Sequence, residues 1–153
     1  MGTVTYPNPD VERVINAHFV PTRFNVKEDP GVMDRWNASW TPTLIVEDPD
    51  GKEHRRVQGF LDPRRFVAEM SLAWLKDAID RRDWKEAVRR ARQALEATRG
   101  DPSREPEALY WAAVAQYKSS TDASGLKQGW NRLIDSFPES EWAKRAEFIR
   151  REA

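Results

Sequence analysis

Trp40-Thr41-Pro42-Thr43-Leu44-Ile45-Val46-Glu47-Asp48-Pro49-Asp50-Gly51-Lys52 is the stretch around which the chain is organised. Thr43 to Val46 are β-branched or apolar and run without polar alternation, which predicts a strand buried on both faces. Asp48-Pro49-Asp50-Gly51 reads as a tight turn: Pro presets φ at the first central position, and Gly accepts positive φ with no Cβ to clash. His54-Arg55-Arg56-Val57-Gln58-Gly59-Phe60 is then the returning, more exposed strand of a hairpin. Pro42 has no N–H to give a ladder and belongs at the strand's start. An X–Pro step lowers the cost of the cis form, so the bond before Pro42 is open to it.

Working outward, Asp62-Pro63 starts a helix, with Asp as cap and Pro at the first position. Phe66, Val67, Met70, Trp74, Leu75, Ala78 and Ile79 give that helix a wide apolar face. Upstream, Asn8-Pro9-Asp10 caps a helix whose Val11, Val14 and Ile15 share one face with Phe19. Phe19 to Val26 reads as a strand, and Val32, Met33 and Trp36 lie on a short helix over about 31–37. From residue 80 the periodicity is purely helical. Asp83 caps a helix carrying Trp84, Ala87, Val88, Ala91 and Leu95. Glu107 to Tyr117 and the stretch from Leu126 to Phe137 are further helices, with a loop over 119–125 between them. Ser140 caps a last one.

The order Thr41-Pro42-Thr43, apolar strand, Asp-Pro-Asp-Gly-Lys, Gly59-Phe60 and helix resembles the second half of a thioredoxin-fold domain. The resemblance covers residues 4–80. It implies that the Thr41–Pro42 bond is cis, and that this loop docks extended peptide backbone opposite a redox CxxC motif. Gly59 matches the family's glycine after the last strand, and 19–26 and 32–36 match its preceding strand and short helix. The second half is similar to tetratricopeptide-type helical hairpins. Asp83-Trp84-Lys85-Glu86-Ala87, Glu107-Ala108-Leu109-Tyr110-Trp111 and Phe137-Pro138-Glu139-Ser140 carry that likeness. Ala112-Ala113 stands where the repeat usually has Leu-Gly. The period is irregular, and about two repeats fall short of the three that a free-standing array needs. The expected fold is therefore α/β: an incomplete thioredoxin-like fold, its first strand missing, over 1–80, followed by an α-helical tetratricopeptide-like tail over 81–153.

In the family a central strand precedes the first helix, and CxxC opens that helix. Here the helix follows Met1 within a few residues, so strand and motif are both absent. The gap between strands 19–26 and 43–48 has three repairs, because unpaired buried backbone is costly. The two strands pair directly, Thr3 to Tyr6 form a strand in the gap, or another chain closes the edge, as in a homodimer.

The chain has 153 residues, 39% hydrophobic and 33% charged, with zero net charge, which gives no bulk attraction to nucleic acid or membrane. No apolar run approaches a membrane span. Met1 to Tyr6 lacks a basic n-region and an apolar h-region, so the expectation is a cytoplasmic protein. Zero cysteines exclude disulfides, thiolate nucleophiles and thiolate metal sites. Seven Trp point to aromatic-rich helix packing.

No residue pattern points to a catalytic group, a metal site or a cofactor. His18 and His54, on a helix end and an exposed strand, are too few for a metal that takes three or four ligands. Asp48 and Asp50 are explained by turn chemistry. Ser39 lies in no nucleophile elbow, and Gly51 and Gly59 make no phosphate-cradling loop. Trp36 and Trp40 flank the loop before Pro42. Core packing accounts for both, whereas exposure would make them binding anchors. Arg81, Lys85, Arg89 and Arg92 are positioned to share a helix face, interrupted by Asp83 and Glu86. A solvated face is the plain reading, and an acidic protein segment the functional one.

Two functions fit. The first is a non-catalytic protein-interaction module, with Trp40, Thr41 and Pro42 as the peptide-binding loop and Trp36, Arg81, Lys85 and Arg89 as a further partner surface. The second is a fragment of a thiol–disulfide oxidoreductase whose CxxC segment lies upstream. This chain cannot exchange disulfides, because that reaction needs a thiolate.

Overall fold

The computed structural model describes residues 1–150. Helix α1 spans Pro9–His18, and the Asn8 side chain caps it by accepting the Asp10 N–H at 3.0 Å. A single turn of helix, α2 (Val32–Arg35), follows. Strands β1 (Thr43–Glu47) and β2 (Glu53–Gln58) pair antiparallel, and among the described residues they form a sheet of two strands only. The turn between them is closed by the Asp48 N–H on the Lys52 carbonyl at 3.0 Å, with Gly51 at φ +81°. Helix α3 (Pro63–Asp80) starts where Asp62 accepts the Arg65 N–H at 3.0 Å. Then come α4 (Trp84–Thr98), α5 (Glu105–Ser120), α6 (Ala123–Ser136), α7 (Glu141–Ala146) and a 3-10 turn over Glu147–Arg150. No helix among the described residues is long and apolar enough to cross a membrane.

The chain divides into two compact units, Met1–Met70 and Ser71–Ala153, and the division falls within α3. The first unit buries Val11, Leu61, Phe66 and Met70, with Val14, Ile15, Phe19, Leu44, Val46 and Val57 packed against them. Each fully buried side chain of that size contributes about 1.5–3 kcal/mol over exposure, far more than a two-stranded ladder holds alone. A largely buried ion pair lies in this unit: Arg55 Nε donates to Glu69 Oε2 at 2.6 Å, and the Glu69 side chain is 1% exposed.

The second unit packs small residues between helices. Leu72, Leu75, Ala78 and Ile79 meet Ala87, Ala91 and Ala94 of α4 and Ala108 and Ala115 of α5. A second cluster joins Ala113, Trp130, Leu133, Ile134, Ala143 and Ala146. Gly129 marks a close approach of α6 to α5, because a Cβ there would lie 2.7 Å from the Ala113 Cβ. Tyr110 stacks on Trp130 with ring centroids 4.9 Å apart and lies 5.2 Å from Trp142, so the tryptophans do pack helices together.

Several expectations are corrected. Residues 19–25 form no strand: Val20 is 95% exposed, Pro21 has no N–H to give, and no neighbouring strand pairs there. Direct pairing of 19–26 with β1 therefore does not occur. Thr3 to Tyr6 form no strand either, since the N–H groups of Val4, Thr5 and Tyr6 turn back onto the Met1 carbonyl and the Thr5 hydroxyl donates to the Leu61 carbonyl. With one neighbour strand instead of two, β1 is half-buried along its whole length, not buried on both faces. His54 is buried, not exposed, because Asp48 Oδ2 holds its Nε2 at 3.0 Å. The loop expected over 119–125 is short: α5 runs to Ser120, and Asp122 caps α6 through the Ser124 N–H at 2.8 Å.

Candidate functional site

The loop 37–42 leads from α2 into β1. Asn37 turns the chain at φ +45°, a left-handed conformation that Asn tolerates. Four hydrogen bonds then seat the loop. Arg56 Nη1 donates to the Asn37 carbonyl at 3.3 Å, and Gln58 Nε2 donates to Ser39 Oγ at 3.2 Å. The Gly59 N–H donates to the Pro42 carbonyl at 2.8 Å, and Thr43 Oγ1 to the Trp40 carbonyl at 2.6 Å. Three of the four donors belong to β2 or the residue after it. The hairpin thus acts as a clamp on the loop. The Thr41–Pro42 peptide bond is cis.

The donors are themselves fixed. Arg56 is held by Glu53 in a two-point contact, Nε to Oε1 at 2.8 Å and Nη2 to Oε2 at 2.5 Å. That hydrogen bonding raises the Arg56 pKa above its ordinary value, so the guanidinium stays charged. Gly59 sits at φ +96°, where a side chain is strained although space is open around it. At the far end of the hairpin, the Lys52 N–H first, then His54, hold the Asp48 carboxyl below the usual carboxylate range. Asp48 thereby closes the turn and orders His54, a structural role.

On this seat Trp40 stands 65% exposed, which corrects the core-packing reading for that residue. Phe60, the residue after Gly59, is 58% exposed. Trp36 is half-buried with its ring 6.3 Å from that of Phe24. Trp40, Thr41 and Pro42 are therefore contiguous on one held loop, with Trp36 at its entrance. Arg56 and Gln58 were not singled out from the sequence, Ser39 was weighed there only as a nucleophile, and Phe60 was read only as part of the Gly59-Phe60 pair. The one signal available was that a strand pairing from Thr43 to Gln58 must lay its end against the preceding loop.

The register fixes what β1 presents on its other edge. Thr43 pairs with Gln58, Leu44 with Val57, Ile45 with Arg56 and Val46 with Arg55. The Gly59-to-Pro42 and Asp48-to-Lys52 bonds put the even-numbered residues of β1 in the hydrogen-bonded positions toward β2. The N–H and C=O groups of Thr43, Ile45 and Glu47 consequently point away from β2, toward an edge that no other described strand occupies. The even-numbered Leu44 and Val46 pack on the core, which leaves Ile45 on the opposite face.

Arg81, Lys85 and Arg89 lie in the second unit. Arg81 precedes α4 and is tied to Asp77 of α3, Nη2 to Oδ2 at 2.6 Å, so it does not share the α4 face. Lys85, Arg89 and Arg92 line one shallow groove with Asp83 and Glu86. Glu86 takes both Arg89, at 2.5 Å, and Arg90, at 2.7 Å, and its carboxyl is pulled down to about 2, chiefly by Arg89. Arg90 also covers the Trp74 ring, 4.2 Å from its centroid. The basic stretch is thus partly neutralised by its own acids.

Residues 3–74 match the family model of a thioredoxin-like domain. The chain carries a thioredoxin-like domain. The match spans α1, the Thr41-Pro42 loop, the hairpin and most of α3. No curated protein and no solved structure matches the chain. Without a single cysteine, this thioredoxin-like domain has no thiol with which to attack a disulfide.

Proposed function

We propose that the chain is a non-catalytic protein-interaction module, in which Trp40, Thr41 and Pro42 hold an extended peptide and Trp36 borders that contact. The observation that carries the reading is the Trp40 ring, exposed on a loop that four hydrogen bonds hold in place. An exposed aromatic on a prearranged seat is the kind of residue that dominates interface energies, because little is lost in ordering it. In the same reading the helices over 81–153 are a tetratricopeptide-like region. Lys85 and Arg89, with Arg81 nearby in sequence, offer a second, separate surface to an acidic segment.

The test is selection from a library of unstructured 12-residue peptides on the purified chain, repeated with Trp40→Ala. A hot-spot tryptophan accounts for about 2 kcal/mol or more, so selected peptides are expected to weaken by about thirtyfold or more while near-UV circular dichroism stays native. Unchanged binding by Trp40→Ala overturns the assignment of this loop.

A second reading is favoured by the unoccupied edge of β1. The chain is then part of a disulfide oxidoreductase, with the strand that fills the edge and its CxxC supplied upstream. Intact mass of the native protein separates the two. A product longer by a strand and a CxxC favours the oxidoreductase, and one of 17.8 kDa favours the binding module.

A further inference from the structure

We propose that the edge of β1 is occupied by β1 of a second copy of this chain, antiparallel and centred on Ile45. The inference rests on the sheet edge and not on the Trp40 loop. Thr43, Ile45 and Glu47 present their N–H and C=O groups outward, on a strand whose one charged residue is the terminal Glu47. β1 has no Lys, no internal Pro and no bulge in its first four residues, the register shift falling between Val46 and Glu47.

The strand is complementary to itself in one register. Outward-pointing residues can pair only with outward-pointing residues. In the two-fold arrangement Ile45 faces the partner's Ile45, Thr43 faces the partner's Glu47, and Leu44 faces the partner's Val46. Each outward residue then finds both backbone partners, about six N–H···O bonds in all. The charges agree with this choice. Glu47 is the one charged residue of β1, and the antiparallel register sets it against a Thr hydroxyl. A parallel register stacks Glu47 on Glu47, which is unfavourable. The β-branched Ile45 pair sits on the axis, and the result is a continuous four-stranded sheet in place of a two-stranded one, which is marginal alone.

The test uses the full chain, and its cysteine-free composition makes the first probe specific. With Ile45→Cys as the sole thiol, mild oxidation is expected to give a covalent dimer in high yield, since opposed residues of an antiparallel pair lie within disulfide reach. Lys52→Cys, on the hairpin turn far from the axis, is expected to stay monomeric. Light scattering of the wild type is expected to reach twice the 17.8 kDa chain mass at high concentration. Thr43→Glu places like charges opposite each other twice and is expected to raise the dimer Kd about tenfold, while Thr43→Lys lowers it. Both variants lose the Thr43-to-Trp40 hydrogen bond, so their difference isolates the charge contact across the axis. Thr43→Glu with Glu47→Lys restores the dimer.

A chain that stays monomeric at millimolar concentration without crosslinking overturns the proposal. So does a dimer whose Kd is the same for Thr43→Lys and Thr43→Glu. Peptide selection through Trp40 is scored independently, so either reading can fail without the other.

Discussion

The two units differ in what they leave uncovered. Six of the seven large apolar side chains exposed among the described residues, Val4, Tyr6, Val20, Phe24, Trp40 and Phe60, lie in the first unit, and Phe148 alone in the second. A helix satisfies its backbone within itself, so the second unit needs only a close-packed apolar seam. A strand satisfies its backbone only through neighbours, and β1 has one. The first unit is therefore the half of the molecule with hydrogen-bonding and apolar surface left to offer a partner.

The comparison can be broken first at the buried ion pair of the first unit. Glu69→Ala removes the buried carboxylate that accepts from Arg55 Nε and is expected to cost about 3–5 kcal/mol. Hydrogen exchange is expected to quicken over residues 43–58 and α1 and to stay unchanged in α5 and α6. Equal quickening in both halves would mean that the two units unfold as one. Gly129→Val attacks the other side. It drives a side chain into Ala113 and is expected to cost about 1–3 kcal/mol, seen as faster exchange confined to α5 and α6.

Smaller effects sharpen the contrast. Gly59→Ala is expected to cost about 1–2 kcal/mol through its left-handed backbone, and to weaken selected peptides by loosening the Pro42 contact. The smallest is electrostatic. Glu86 titrates near 2 in the folded chain against 4.5 ordinarily, so the stability it adds is full above pH 4.5 and fades as pH falls toward 2. For a pair at the surface of α4 this amounts to under about 1 kcal/mol. An acid titration followed by circular dichroism checks it, because Glu86→Gln should remove that part of the pH dependence.

What was legible in the sequence was local. Asn8, Asp62, Asp83 and Ser140 cap helices because a side-chain oxygen lies within a few residues of the N–H it accepts. The Asp48–Gly51 turn and the existence of the hairpin follow from residues within one turn of each other. What was not legible depended on distant partners. Phe19 to Val26 has the composition of a strand, but strand structure belongs to a pair, and no second strand meets it. His54 reads as exposed on its own strand and is buried because Asp48 reaches across the turn. Arg56 and Gln58 read as solvent-facing residues, yet each reaches back 19 positions to seat the loop. Whether Trp40 packs in the core or stands exposed was not legible in the sequence; the structure leaves it 65% exposed.

The most direct measurement is residue-resolved amide exchange along β1 as a function of protein concentration. In dilute solution, the Thr43, Ile45 and Glu47 amides are expected to exchange quickly and those of Leu44 and Val46 slowly, with the outward amides becoming protected as concentration rises. Equal protection of all five amides at every concentration would contradict the account, because the edge of β1 would then already be covered within the chain.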